Sequence, residues 1–137
     1  MMLELHATPQ EVMRAVEALR QFGAERGLSE RAIFGLAVAL EETASNIVDH
    51  ALQRDSKQTF TVSLEHSGGA MSIELRDQGP AFDPTQGAPK EDRGSDPLGG
   101  WGIQLVRRYM DEISYRREGG ANILRLTKRL APAADGK

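Results

Sequence analysis

The spacing of apolar and polar residues changes period several times along this chain, and each change predicts an element. Leu3, Leu5 and Ala7 alternate with Glu4 and His6, the period of a short strand. Thr8-Pro9-Gln10-Glu11 then reads as a helix start, with Thr8 as N-cap, Pro9 in the first helical position and Glu11 closing a capping box. Val12, Val16, Leu19 and Phe22 give that helix an apolar stripe, which ends at Gly23 or Gly27. Ser29 is a second N-cap. It opens a long helix running to about Leu52, apolar at Ile33, Leu36, Ala37, Leu40, Ile47, Val48, Ala51 and Leu52.

After the polar connection 53–57, the period falls to two. Phe60, Val62 and Leu64 alternate with polar residues, Ser67-Gly68-Gly69 turns the chain, and Met71, Ile73 and Leu75 alternate again. This predicts an antiparallel hairpin ending at Asp77-Gln78-Gly79. Residues 85–98 are rich in Gly, Pro and charge, without apolar period, and form a loop of unusual length for a compact domain. A third helix is expected from about Gly102 to Met110, then strands over 112–117 and 122–130 around the turn Glu118-Gly119-Gly120. The order β-α-α-β-β-loop-α-β-β predicts an α+β fold, a two-layer sandwich of helices on a mixed or antiparallel sheet.

Composition narrows this picture. The 137 residues suit one domain with a single core, placed at 1–130 and followed by a loose tail at 131–137. A net charge of −3 gives no footing for general nucleic-acid or membrane-surface binding. The absence of cysteine excludes disulfides and thiolate chemistry and fits a reducing compartment. No apolar run approaches the roughly 18 residues of a membrane span. The first residues carry neither a charged leader nor a long apolar run, so the expected location is cytoplasmic.

Three stretches are candidates for chemistry. On the long helix, Glu42, Asn46 and His50 recur every four residues and share one polar edge of an otherwise apolar helix. A carboxylate and an amide in such a place need partners. The amide oxygen is able to ligate Mg²⁺ held on a phosphate, and the carboxylate is able to act as a base. Asp77 at a strand end, with Gly79 two residues on, suits a carboxylate that accepts from an exocyclic amine while the backbone passes close to a flat ligand. An ordinary Asp-x-Gly turn explains the same residues. Gly99-Gly100-Trp101-Gly102 ahead of a helix suits phosphate binding by backbone N–H groups and the helix dipole. The P-loop pattern is absent.

Taken in order, these stretches resemble the three boxes of the GHKL ATPase superfamily, which includes gyrase-type topoisomerases, MutL and histidine kinases. Glu42-Thr-Ala-Ser-Asn46-Ile-Val-Asp-His50 is similar to its N box, Asp77-Gln-Gly79-Pro-Ala-Phe82-Asp83-Pro84 to its G1 box, and Gly99-Gly-Trp-Gly102-Ile-Gln-Leu-Val to its G2 box. The size, the Phe-Asp-Pro after G1, the His closing the N box and the ending Met110-Asp-Glu-Ile-Ser-Tyr…Gly120-Ala-Asn-Ile-Leu-Arg-Leu-Thr-Lys resemble the anti-sigma factor serine kinases of the RsbW and SpoIIAB type. The resemblance spans roughly residues 5 to 130.

It implies a Bergerat-type ATP-binding fold, ATP and Mg²⁺ as cofactors, and a protein serine/threonine kinase. Glu42 would be the general base and Asn46 the Mg²⁺ ligand. Asp77 would bind the adenine amino group, with Gly79 allowing close approach. Gly99, Gly100 and Gly102 would serve the phosphates, and Phe82 and Ile103 complete the nucleotide-binding set. The adenine-side threonine of the family falls near Asn122. Loop 85–98 would be the ATP lid, with Arg93 a candidate γ-phosphate contact. The implied partners are a STAS-type anti-anti-sigma protein, a sigma factor and a second copy in a homodimer, with no direct nucleic acid and no membrane. Ala81 stands where the wider superfamily has a second G1 glycine. Two other classes compete: a non-catalytic module that only sequesters a partner, and the catalytic half of a split histidine kinase. The second lacks a phospho-acceptor helix pair, since His6, His50 and His66 are scattered.

Overall fold

A computed structural model describes residues 1–86 and 97–130 of the chain. Strand β1 (Met2–His6) leads into helix α1 (Pro9–Glu25) and helix α2 (Glu30–Asn46), which continues as a π-helical turn over Ile47–Ala51. The hairpin β2 (Thr59–Ser67) and β3 (Ala70–Asp77) follows, then a 3₁₀ turn at Pro84–Gln86 and helix α3 (Pro97–Tyr109). The hairpin β4 (Glu112–Glu118) and β5 (Ala121–Arg129) ends the described chain. The five strands form one sheet in the order β1-β2-β3-β5-β4, and every pair is antiparallel. Of the two sheet types expected, the antiparallel one is therefore the one formed.

Register assigns the two faces. Leu5, Phe60, Asp77 and Asn122 form one cross-strand row, and Leu3, Val62, Leu75, Leu124 and Tyr115 another. The apolar members of these rows, with Ile73 and Leu126, pack against Val12, Val16 and Leu19 of α1, Leu36 and Leu40 of α2, and Ile103 and Val106 of α3 in one buried core. Burying each large aliphatic side chain contributes about 1.5–3 kcal/mol, so this one layer drives the fold. The other face is mostly polar, with Ile123 buried on it, and Arg125 there pairs with Glu65 at 3.4 Å and Glu74 at 3.5 Å.

The caps hold with one change. Thr8 Oγ1 accepts from the Glu11 N–H at 3.2 Å, and Ser29 Oγ from the Ala32 N–H at 3.1 Å. The Glu11 carboxylate, however, reaches past Thr8 to accept from the His6 N–H at 3.1 Å. Thr8 N–H is already bonded to the His6 carbonyl at 2.8 Å, so the reciprocal half of the capping box falls two residues earlier, at the end of β1. Bonding to Arg14 holds the Glu11 carboxyl below the usual carboxylate range, with the His6 N–H adding to the effect. At Gly35, a Cβ would stand 3.0 Å from the Tyr109 ring, so glycine lets α3 lie close on α2.

Two boundaries differ from expectation. The long helix does not run to Leu52 as a uniform α-helix. Its last turn widens, with Leu52 N–H bonding the Ile47 carbonyl at 2.8 Å and Arg54 N–H the Val48 carbonyl at 2.6 Å. Helix α3 begins at Pro97 rather than near Gly102. Proline suits a first helical position, and the buried face of Ile103, Val106 and Met110 offsets the cost of the glycines that follow. The proposed tail 131–137 and most of the proposed lid, 87–96, lie outside the described residues.

Candidate functional site

The site lies where α2 crosses the end of β3. Asp77 is the last residue of β3 and is 3% exposed. Its Oδ1 accepts from the Gly79 N–H at 2.8 Å and from Asn122 Nδ2 at 3.0 Å. Among the described residues no hydrogen bond is made to Oδ2, and no buried side-chain oxygen lacks a partner, so Oδ2 is the reachable oxygen of a largely buried residue and is able to accept from a ligand. Asn122 sits opposite Asp77 in the β3–β5 register and is 4% exposed. Its Nδ2 also donates to the Pro80 carbonyl at 2.9 Å. Its Oδ1 accepts from the Phe82 N–H at 3.1 Å, the Tyr115 hydroxyl at 2.6 Å and Arg117 Nη1 at 3.1 Å.

Asp77, Asn122, Thr43, Ile47, Phe82, Pro84 and Tyr115 surround a cavity of about 10 Å³, room for one water at most. Phe82 is half-buried over it and stacks on His50, ring centroids 5.8 Å apart. His50 therefore meets the G1 segment, reached from the widened turn of α2, while Glu42 and Asn46 lie on regular α-helix. A flat ligand would fit beside Asp77 only with the Phe82 ring moved aside. A roomier groove of about 350 Å³, lined by Met1, Met2, Ser63, Glu65, Glu74 and Arg125, lies on the other side of the sheet. Its glutamates are already paired with Arg125, so it offers no comparable chemistry.

Glu42 and Asn46 are both half-buried near the C-terminal end of α2. Burial pushes the Glu42 carboxyl above the ordinary carboxylate range, and the neighbouring charge of Glu41 adds to that shift. A carboxylate made more basic in this way is suited to taking a proton. Between them Thr43, 1% exposed, turns inward and donates to the Ala39 carbonyl at 2.8 Å. Among the described residues there is no group of three or more His, Cys, Asp or Glu able to hold a metal. A Mg²⁺ carried on phosphates needs only one or two protein oxygens, and the amide of Asn46 fits that requirement.

Gly79 makes its close approach to protein. A Cβ there would stand 2.7 Å from the Ala51 carbonyl oxygen. Gly99 lies in the first turn of α3, where N–H groups have no helical partner, whereas Gly100 and Gly102 fall further in. Ile103 is buried in the core face of α3. Arg93 lies outside the described residues. Thus Asp77, Phe82 and Asn122 meet in one cluster, Glu42 and Asn46 lie on the helix above it, and Gly99, Gly100 and Gly102 belong to a separate helix start. Sequence reasoning missed Thr43, Tyr115 and Arg117. The alternation Ile113, Tyr115, Arg117 carried a usable signal, because it sets all three on one side of β4, facing Leu126, Leu124 and Asn122.

Comparison with known proteins places the chain in a family. Residues 5–128 match the histidine kinase-like ATPase domain, and the chain belongs to that family. Within it the resemblance to RsbW-type serine kinases is borne out. The chain is 33% identical over 133 residues to the serine/threonine-protein kinase BtrW of Bordetella bronchiseptica, covering 95% of this chain and 94% of that one. It is 26% identical over 129 residues to the serine-protein kinase RsbW of Listeria monocytogenes, covering 89% and 82%. The fold matches the crystal structure of the RsbU and RsbW domains of Rv1364c from Mycobacterium tuberculosis, with a TM-score of 0.69, 24% identity, and coverage of 97% of this chain and 34% of that one. It also matches the SiaB–SiaC complex from Pseudomonas aeruginosa, with a TM-score of 0.70, 13% identity, and coverage of 93% and 88%. Among the described residues no helix is long and apolar enough to cross a membrane.

Proposed function

We propose that this chain is an ATP-dependent protein serine kinase of a partner-switching system, which phosphorylates a STAS-type anti-anti-sigma protein and sequesters a sigma factor. The observation that carries the reading is the buried Asp77 carboxylate, with Oδ1 held by Gly79 and Asn122 and Oδ2 left to accept from an exocyclic amine. Asn46 would hold Mg²⁺, which neutralises charge on the phosphates when bound. The start of α3, with Gly99, Gly100 and Gly102, would face the phosphates. Arg93 would reach the γ-phosphate from the lid. Phe82 would pack on the base once its ring swings aside, and Ile103 would back the site from the core.

Glu42 would take the proton from the acceptor serine as its oxygen bonds to the γ-phosphorus and the phosphorus–oxygen bond to the departing ADP breaks, leaving positioning and charge neutralisation to do the rest. A phosphoserine product carries about −2 charge. It would leave past the exposed Glu41, while Asp49 is largely balanced by Arg54 at 2.7 Å. Release of the product would free the same surface for a sigma factor. The working unit is expected to be a homodimer in the cytoplasm.

Titration with ATP, with and without Mg²⁺, tests the nucleotide site. The emission of Trp101, the only tryptophan, and the heat of binding are the readouts. Saturable Mg²⁺-dependent binding, with transfer to a serine-bearing partner lost in Glu42→Ala, is the expected result. The narrow cavity beside Asp77 and Ala81 in G1 favour a second reading, a sequestering module without catalysis. Absence of heat and spectral change up to millimolar ATP would select it.

A further inference from the structure

The base-recognising carboxylate is not held by its own strand alone. The amide of Asn122 bridges it to a strand of the other hairpin, and the direction of that amide is set by chemistry. Its oxygen faces three donors: the Phe82 N–H, the Tyr115 hydroxyl and the Arg117 guanidinium. Its nitrogen faces three acceptors: Asp77 Oδ1, the Pro80 carbonyl and, at 3.5 Å, the Gly79 carbonyl. Turning the amide over would set its NH₂ against the Phe82 and Arg117 N–H groups and its oxygen against the carboxylate. Arg117 Nη1 also donates to the Gly79 carbonyl at 2.8 Å, so one guanidinium grips both the amide and the G1 turn. The amide dipole thus lies between a cation and a carboxylate, positive end toward Asp77.

We propose that Tyr115 and Arg117, acting through Asn122, are positioning residues that fix Asp77 with Oδ1 filled and Oδ2 open, and so set the preference for a 6-amino purine over a 6-oxo purine. This deepens the nucleotide-binding reading and rests on it. An open carboxylate oxygen accepts from the adenine amine and repels the carbonyl that inosine carries in its place. If the amide is free to turn, Asp77 loses its Nδ2 donor and its fixed direction, and the distinction between the two bases weakens.

The test is calorimetric titration of the full chain with ATP and with inosine triphosphate, for the wild type, Arg117→Met, Arg117→Lys and Tyr115→Phe. The wild type should prefer ATP. Arg117→Met should weaken ATP binding about tenfold, in line with loss of a hydrogen bond to a charged group, and leave inosine triphosphate nearly unchanged. Arg117→Lys, which keeps the charge and one of the two contacts, should fall between. Tyr115→Phe should lower the ATP preference in the same direction. A nucleotide-free readout runs beside these: the side-chain amide signals of Asn122 should exchange slowly with solvent in the wild type and faster in Arg117→Met. Equal weakening of both nucleotides, or an unchanged Asn122 amide, would reduce the network to a structural role and overturn the proposal. A wild type that binds both nucleotides equally would overturn it too, with the nucleotide site intact. A wild type that binds neither would overturn the nucleotide-binding reading itself and take this inference with it.

Discussion

The backbone at Gly79 and the carbonyl of Ala51 leave no room between them for a side chain. A Cβ at Gly79 would stand 2.7 Å from that oxygen and 3.2 Å from the carbonyl carbon. The contact joins the widened last turn of the long helix to the G1 turn, so the two boxes on either side of the site are packed backbone to backbone. The obstacle is main chain, which cannot rotate away. Gly79→Ala should therefore destabilise the fold by about 1–3 kcal/mol. Urea unfolding checks this, and a loss below a few tenths of a kcal/mol would mean that the helix end yields freely.

Asp77→Asn separates stability from recognition. The asparagine oxygen is able to keep both bonds now made to Oδ1, from Gly79 and Asn122. Its NH₂ then stands where Oδ2 stood and opposes the adenine amine instead of accepting from it. Unfolding free energy should change by less than about 1 kcal/mol, while ATP affinity should fall roughly 10- to 100-fold, the worth of a hydrogen bond to a charged group. Calorimetry and denaturant melts on the same sample decide it. Retained ATP affinity would remove Asp77 from the site.

Gln53 has a φ of 52° and is exposed on the loop after the π turn. A left-handed backbone costs a residue with a Cβ about 1–2 kcal/mol, and glycine avoids this at the expense of a more flexible unfolded chain. Gln53→Gly should stabilise by about 0.5 kcal/mol net. A lower midpoint of thermal unfolding would show that the Gln53 side chain contributes more than its conformation costs.

How far the sequence revealed all this depends on the type of signal. Alternation in Phe60, Val62, Leu64 and in Met71, Ile73, Leu75 was strong because one sheet face is buried, and period two leaves no ambiguity there. The caps Thr8 and Ser29 act locally, so they were legible too. The start of α3 is hidden in the sequence because glycines look like loop, while the burial of Ile103 and Val106 that overrides them is a tertiary effect. The π turn has no local signature in the sequence; its end at Ala51 meets Gly79, a contact that only the tertiary structure shows. Asp77 and Asn122 were each legible as site residues, but their pairing is a matter of register between β3 and β5, 45 residues apart in sequence. Arg117 reads as an ordinary strand charge until β4 is placed beside β5.

Glu42 supplies a pH dependence with a definite sign. Burial, with Glu41 adding to it, raises its pKa in the folded chain above the unfolded value. The folded state therefore holds the proton more tightly, and Glu42 favours folding most fully below the ordinary carboxylate range. That contribution disappears as pH rises through the raised folded pKa, and above it the ionised carboxylate is held in a site that disfavours charge. Glu42→Gln is neutral throughout. Its thermal midpoint should exceed that of the wild type at neutral pH, and the gap should close as pH falls below the ordinary carboxylate range. Parallel midpoint-versus-pH curves would show that Glu42 is not perturbed by its surroundings. The same ionisation should appear in catalysis if Glu42 is the base: single-turnover phosphoryl transfer should rise with pH through the raised pKa and level off above it. Glu42→Gln should still bind ATP yet transfer at least a hundredfold more slowly, the order expected for loss of a general base. A wild-type rate flat across that range would leave Glu42 as a buried carboxylate without the catalytic role.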